Sequence, residues 1–318
     1  MTETGTRVGQ GVGDRRARVV EKLRVAPGSA ADLGNRDSAW TGGGEFASLS
    51  ATELSEAAKQ LLARGVHDLR HMQQRLWANG TQSLLVVFQA IDAAGKDSTI
   101  KHVMSGVNPQ GVTVVSFRKP SAEERDHDFL WRIARALPAR GRIGIFNRSH
   151  YEDLVAVRVH PEWLDGPRPP SGARGAAFWA DRYEDVNAFE RHLARNGTRI
   201  LKLFLNVSKA EQRRRFLARL DEPGKQWKFN AADLEERALW DEYRHAYEAA
   251  ITATSTPWAP WYVIPADHKP VMQAMVAALL VDTIGSLELS WPEVSEQARI
   301  ANAEARRKLA AEPDDETG

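Results

Sequence analysis

The chain has 318 residues, 42% hydrophobic and 27% charged, enough for a substantial core in one large α/β domain or two smaller ones. Lysine and arginine number 43 against 42 aspartate and glutamate, which argues against a surface devoted to DNA, RNA or a membrane, so any basic site must be local. Cysteine is absent, which excludes disulfides, thiolate metal sites and cysteine nucleophiles.

Residues Met1–Gly13 are polar and glycine-rich, without the apolar centre of a signal peptide. With no apolar run of membrane-spanning length, the expected compartment is the cytoplasm. The first fifty residues read as an extended arm packed on the body. Thr52–Asn79 carries apolar residues at helical spacing and stops at Asn79-Gly80. Leu84–Phe88 is a strand, followed by a small-residue loop and a helix over Lys96–Val107. Val112–Phe117 is a short β-branched run. Ser121 and Glu124 fit a capping box that opens one helix through His127–Leu137. Gly141–Phe146 is a buried-strand candidate, and Pro161–Arg174 a loop. Asp181–Arg195 reads as helix, Arg199–Asn206 as strand, and Ser208 with Glu211 as a second capping box. A long helix over Ala231–Ala253, a strand at Trp261–Ile264 and a helix over Val271–Ile284 follow. Glu293–Gly318 is a charged helix with an acidic tail. Strands alternating with helices from 84 to 285 predict a parallel sheet covered on both faces. The expected division is an arm at 1–50, a catalytic body at 51–290 with a mobile segment near 208–230, and the helix and tail at 291–318.

Three constellations carry chemistry. The first is Ser83–Ile100, SLLVVFQAIDAAGKDSTI, where a strand, a tight loop with Gly95-Lys96 and a helix start form the setting of a phosphate-binding P-loop. Lys96 supplies a point charge, and the backbone of Ala93, Ala94, Gly95, Asp97 and Ser98 supplies donors. Ala90 replaces the usual first glycine, and Asp97 the usual metal-binding hydroxyl. A carboxylate beside phosphate repels it unless a divalent cation lies between, which favours a metal role for Asp92; helix-start capping suits Asp97 better. The second is the strand end at Asn147-Arg148, where Arg148 is placed to clamp phosphate and Glu152 lies one turn on. His150 is expected to pack. The third is Lys209–Lys228, with seven basic residues against three acidic ones, including Arg214, Arg215 and Arg219. Such a run is usually a solvated face, yet in a near-neutral chain it points to a strongly anionic ligand. Arg132 adds to this set or pairs with Asp128 one turn back.

The segments QAIDAAGKDSTIKHVMSGVNPQG, FRKPSAEERDHDFLWR, IGIFNRSHYED, QRRRFLARLDEPGKQWK and STPWAPWYVIPADHK together resemble the polyphosphate kinase 2 family, over roughly Trp40 to Leu280. The resemblance implies a P-loop kinase core similar to thymidylate kinase with a helical lid. It also implies Mg²⁺ (or Mn²⁺) as cofactor, inorganic polyphosphate and nucleotides as partners, and a homodimer or homotetramer. Asp92, Gly95 and Lys96 would form the Walker A loop, Asn147-Arg148 would occupy the Walker B place, and Arg214, Arg215 and Arg219 would belong to the lid. Because Asn147 is neutral, the metal role falls more heavily on Asp92. The pairing of Asn147 with Glu152 resembles the subgroup that accepts AMP as well as ADP. The expected catalytic set is Asp92, Lys96, Arg148 and Glu152. Restriction to nucleoside diphosphates, an ATP-dependent nucleoside monophosphate kinase and a non-catalytic phosphate-binding switch are the rival readings.

Overall fold

The computed structural model describes residues 16–164 and 175–312. The first thirteen residues, most of the proline-rich loop and the acidic tail therefore lie outside the described residues.

Strand β1 (Ser83–Gln89) is buried along its whole length, and an unbroken apolar run is what a strand covered on both faces requires. It is the centre of a five-stranded parallel sheet ordered β2-β3-β1-β4-β5, with β2 Val112–Ser116, β3 Ile143–Asn147, β4 Thr198–Asn206 and β5 Trp261–Pro265. The chain leaves β1 toward β2 on one side and reaches β4 on the other. The strand order thus reverses at the carboxyl end of β1, where open α/β sheets place their ligands. Edge strand β2 is only partly covered, and Val114 lies half in solvent.

Helix α1 occupies residues 16–23 of the described part. Past it, Val25 N–H donates to the Trp261 carbonyl at 2.8 Å, and Arg24 forms an antiparallel bridge with Tyr262, covering the β5 edge. The Arg36 guanidinium donates to the carbonyls of Lys22, Leu23, Arg24 and Ala31, folding this segment onto itself. Leu23, Val25 and Leu33 enter the main core.

Helix α2 (Ala51–Asn79) opens on a capping box of Ser50 and Glu53 and ends on left-handed Gly80. It packs on α11 (Lys269–Gly285), an almost wholly buried helix; a Cβ at Gly65 would sit 2.9 Å from that of Ala277, so only glycine permits this approach. Helix α3 (Lys96–Val103) follows the loop and is one turn shorter than its pattern suggests.

Two expected helices are broken. The segment after Ser121 forms α4 (Ala122–Arg125) and α5 (Trp131–Arg135) as separate pieces. The capping box is present, but Asp128 Oδ1 accepts the Leu130 N–H at 2.9 Å, and this local turn competes with the helix. The Ala231–Ala253 stretch divides at Leu239 into α9 (Ala232–Ala238) and α10 (Trp240–Thr254). Short helix α6 (Ala156–Val159) precedes α7 (Ala176–Arg195), α8 (Lys209–Asp221) follows β4, and α12 (Glu296–Ala310) closes the described chain. The Ser208 box is half formed: its hydroxyl accepts the Glu211 N–H, while the Glu211 carboxylate turns to Arg215. Among the described residues, no helix is long and apolar enough to cross a membrane.

A buried ion pair crosses the core beneath the sheet's carboxyl edge. Lys202, in the middle of β4 and fully buried, donates to Glu190 Oε2 at 2.6 Å, the Tyr151 hydroxyl at 2.8 Å and the Thr254 carbonyl at 2.7 Å. All three ammonium protons are used, which is the condition for a buried charge to persist. Glu190→Ala should therefore cost about 3–5 kcal/mol by stranding the lysine. The double change Glu190→Leu with Lys202→Met should recover most of that loss in urea unfolding; a double variant no more stable than the single one would refute this account.

Candidate active site

The loop from Ala90 to Gly95 is shaped by two left-handed residues, Ala93 (φ 62°) and Gly95 (φ 105°). Gly95 has a second constraint: a Cβ there would lie 3.3 Å from Met272 Cε and 3.5 Å from Arg215 Nη1. Gly95 also caps α3 without any side-chain bond, so the first amides of the helix stay open toward an incoming anion. Lys96 folds back over the loop, and its Nζ donates to the Ala90 carbonyl at 2.9 Å. Burial, with the Arg148 charge, pulls the Lys96 ammonium down to about 8, against the opposing pull of Asp92, Glu152 and Asp97.

Parallel register sets the facing wall. Phe88 pairs with Asn147, so the residues after them emerge side by side at the carboxyl edge. Arg148 has a left-handed backbone (φ 63°), and its N–H donates to the Phe88 carbonyl at 3.0 Å. Its guanidinium reaches Asp92 Oδ1 at 2.7 Å and Glu152 Oε2 at 3.2 Å. The Glu152 carboxylate, with Asp92, holds the Arg148 guanidinium firmly charged despite partial burial. Asp97 does not cap α3; its Oδ1 accepts the Asn147 amide at 2.6 Å, bridging loop and strand end. The four residues expected to be catalytic thus converge on one edge of the sheet.

The expected cations separate. Arg132 is buried away from Asp128, donating to the Arg118 carbonyl at 2.9 Å and pairing with Asp153 at 3.4 Å. Arg215 is also buried: it donates to Glu211 at 2.6 Å and to the Ala93, Ala94 and Ala266 carbonyls, so its guanidinium grips the loop from behind. Arg214 is exposed and pairs with Glu211, and Arg219 lies 3.9 Å from Asp233. Ser98 accepts from Gln273 at 3.3 Å through its hydroxyl. His150 is buried against Glu190 at 3.4 Å, which fits a packing role.

Two neighbours were not singled out in sequence. Gln212 Nε2 donates to the Asp92 carbonyl at 2.9 Å, and its spacing of three from Arg215 was the available signal. Asp233 of α9 faces the same centre; burial, then the Asp92 charge, raises its carboxyl above the usual range. No motif marks it. Among the described residues, no group of three metal-ligating side chains forms a closed cage. A hard dication shared with phosphate does not need one, since one or two carboxylates and water suffice, and Asp92 with Glu152 or Asp97 fits that donor set.

A lysine-bearing loop at the carboxyl end of the central strand of a parallel sheet is the arrangement of a P-loop kinase fold. Residues 53–290 match the family model for polyphosphate kinase 2, and the chain belongs to that family. It is 50% identical over 258 residues to the ADP-polyphosphate phosphotransferase of Rhodopseudomonas palustris, covering 81% of this chain and 89% of that protein. It is 44% identical over 278 residues to the AMP/ADP-polyphosphate phosphotransferase of Meiothermus ruber, covering 86% and 96%. Polyphosphate kinase 2 from Arthrobacter aurescens TC1 superposes with a TM-score of 0.80 at 39% identity, covering 90% of this chain and 96% of that one.

Because the Lys96 ammonium titrates near 8 in the free protein, pyrophosphate affinity should fall as pH rises through that value. Calorimetric titration should show this limb, and Lys96→Arg should move it to higher pH. A limb unchanged in that variant would assign it to another group.

Proposed function

We propose that the protein moves phosphoryl groups between inorganic polyphosphate and nucleotides, converting AMP to ADP and ADP to ATP. The convergence of Asp92, Lys96, Arg148 and Glu152 on the loop edge carries this reading, and the names of the Rhodopseudomonas and Meiothermus relatives support its donor and acceptors. AMP as an acceptor rests on the Meiothermus relative, joined by the Asn147 and Glu152 pattern of this chain.

Lys96 and the open amides at the α3 start hold the phosphates. A phosphate oxygen of the nucleotide attacks the terminal phosphorus, whose bond to the bridging oxygen breaks; the shortened polyphosphate leaves with that electron pair. The attacking oxygen is already anionic, so no strong base is required. Charge spreads over the transferred group in a loose transition state, and Arg148, released in part from its two carboxylates, stabilises it together with Arg214 and Arg219. Asp92, with Glu152 or Asp97, would hold Mg²⁺ (or Mn²⁺), which neutralises phosphate charge when bound. The enzyme is read as cytoplasmic and as a homodimer or homotetramer.

Pure protein with Mg²⁺, polyphosphate and AMP, ADP, GMP or GDP separately should yield ATP from AMP by way of ADP. No product from any nucleotide would refute the reading, and product from diphosphates alone would restrict it. Lys96→Ala should lower the rate by about 10²–10³-fold, as loss of a transition-state donor does, with the far-ultraviolet spectrum unchanged. Near-normal turnover in that variant would remove Lys96 from the chemistry.

A further inference from the structure

The P-loop is held from outside by two side chains of α8, and the pattern of bonds is specific. Gln212 Nε2 donates to the Asp92 carbonyl at 2.9 Å; Arg215 Nη1 donates to the Ala93 and Ala94 carbonyls at 3.1 and 2.6 Å. Three successive carbonyls are thereby turned toward α8. In a trans peptide the carbonyl and the following N–H point in opposite directions. Holding carbonyls 92 and 94 against α8 therefore aims the amides of Ala93 and Gly95 away from it, into the loop. The middle amide, that of Ala94, closes the turn on the Ile91 carbonyl at 3.3 Å. The left-handed backbone at Ala93 is the strain this arrangement has to overcome, whereas Gly95 adopts its positive φ freely.

We propose that Gln212 and Arg215 are positioning residues that aim the Ala93 and Gly95 amides at the bound phosphate, and that Gln212 makes this aim depend on the position of α9. The proposal rests on the phosphate-transfer reading given above. Glycine at 95 suits the loop, because its φ of 105° is one that L side chains rarely adopt and a Cβ there would press on Met272 Cε at 3.3 Å. The α8 helix is braced in turn. Arg215 Nη2 donates to the Ala266 carbonyl after β5, and the Ser208 N–H donates to Asp267 Oδ1 at 2.8 Å. The link to α9 is Arg237, whose Nη1 donates to Gln212 Oε1 and, at 2.9 Å, to the Lys209 carbonyl. One amide side chain thus joins α9 through its oxygen and the P-loop through its nitrogen. Motion of α9 pulls on the peptide that carries the Ala93 amide. Arg215 fixes its part of the loop independently of α9.

The test is the affinity of the full chain for tripolyphosphate without nucleotide, by titration calorimetry, alongside thermal unfolding. Gln212→Met keeps the side-chain volume and removes both bonds without changing charge. It should bind tripolyphosphate about tenfold more weakly, the worth of one charge-assisted hydrogen bond, while remaining folded. Arg215→Lys keeps the charge, loses the fork and should weaken binding at least as much. Arg237→Met should weaken it less, and should raise the KM for polyphosphate more than it lowers kcat. In ¹⁵N spectra of the wild type the Ala93 and Gly95 amides should shift on adding tripolyphosphate, and this response should shrink in Gln212→Met; a role confined to stability would not move it. Unchanged affinity in folded Gln212→Met and Arg215→Lys would overturn the proposal, as would a wild type that does not bind tripolyphosphate. A wild type that binds but transfers nothing to any nucleotide would overturn the phosphate-transfer reading alone, with the amide test still deciding this one.

Discussion

The site depends on a guanidinium held between two carboxylates. Asp92 and Glu152 stand on opposite sides of Arg148, one on the P-loop and one just past the β3 end. Without the arginine they would repel each other and any phosphate beside them. Arg148 is 41% exposed, so water screens both pairs and their contribution to stability is small. Their value lies in placement. A backbone in the left-handed region costs about 1–3 kcal/mol and persists only where the surroundings over-determine it. Here the β1–β3 register and the Arg148 N–H bond to Phe88 supply that constraint.

Beneath the strand ends, a chain of buried polar groups keeps this geometry rigid. Tyr247 donates its hydroxyl to Gln89 Oε1 at 3.0 Å, and Gln89 Nε2 donates to Ser149 Oγ at 3.2 Å. Ser149 in turn accepts the Tyr151 N–H, and the Tyr151 hydroxyl donates to Glu190, the partner of Lys202. The segment from Arg148 to Asp153 is thus tied to β1, α7, α10 and the core charge pair. The groups named here are paired, with His150 Nδ1 beside them left without a partner, and paired buried polar groups help to specify one geometry. The contrast is the stretch 222–228 after α8, exposed throughout, where few buried contacts oppose movement.

The sheet was legible because its strands are apolar runs bounded by Gly, Pro and Asn, and the P-loop because glycine and lysine must follow a strand for the lysine to reach phosphate. Local hydrogen bonding was less legible. Asp128 ends a helical turn through a bond to its own backbone, and neither propensity nor period distinguishes that aspartate from a solvated one. Lys202 reads as a flaw in an otherwise apolar strand until Glu190 and Tyr151, from distant segments, come to meet it. Asp97 reads as a helix-start charge; its bond to Asn147 depends on strand pairing that no local pattern specifies.

The basic run on α8 shows what counting charges cannot decide. Seven cations in Lys209–Lys228 suggest seven hands for a polyanion. Arg215 is not among them, since four of its five N–H donors are spent on Glu211 and three carbonyls and it is 6% exposed. Arg214 is exposed and held by Glu211, and Arg219 lies over the Phe216 ring and 3.9 Å from Asp233; a phosphate chain can take these guanidinium groups from their carboxylates. The helix therefore divides its arginines by face. One face is fixed and shapes the loop, and the other is free to exchange partners when an anion arrives. Buried guanidinium that holds backbone oxygen cannot be recruited without undoing the loop it supports, so the fixed face also limits how far α8 can shift while the site stays assembled.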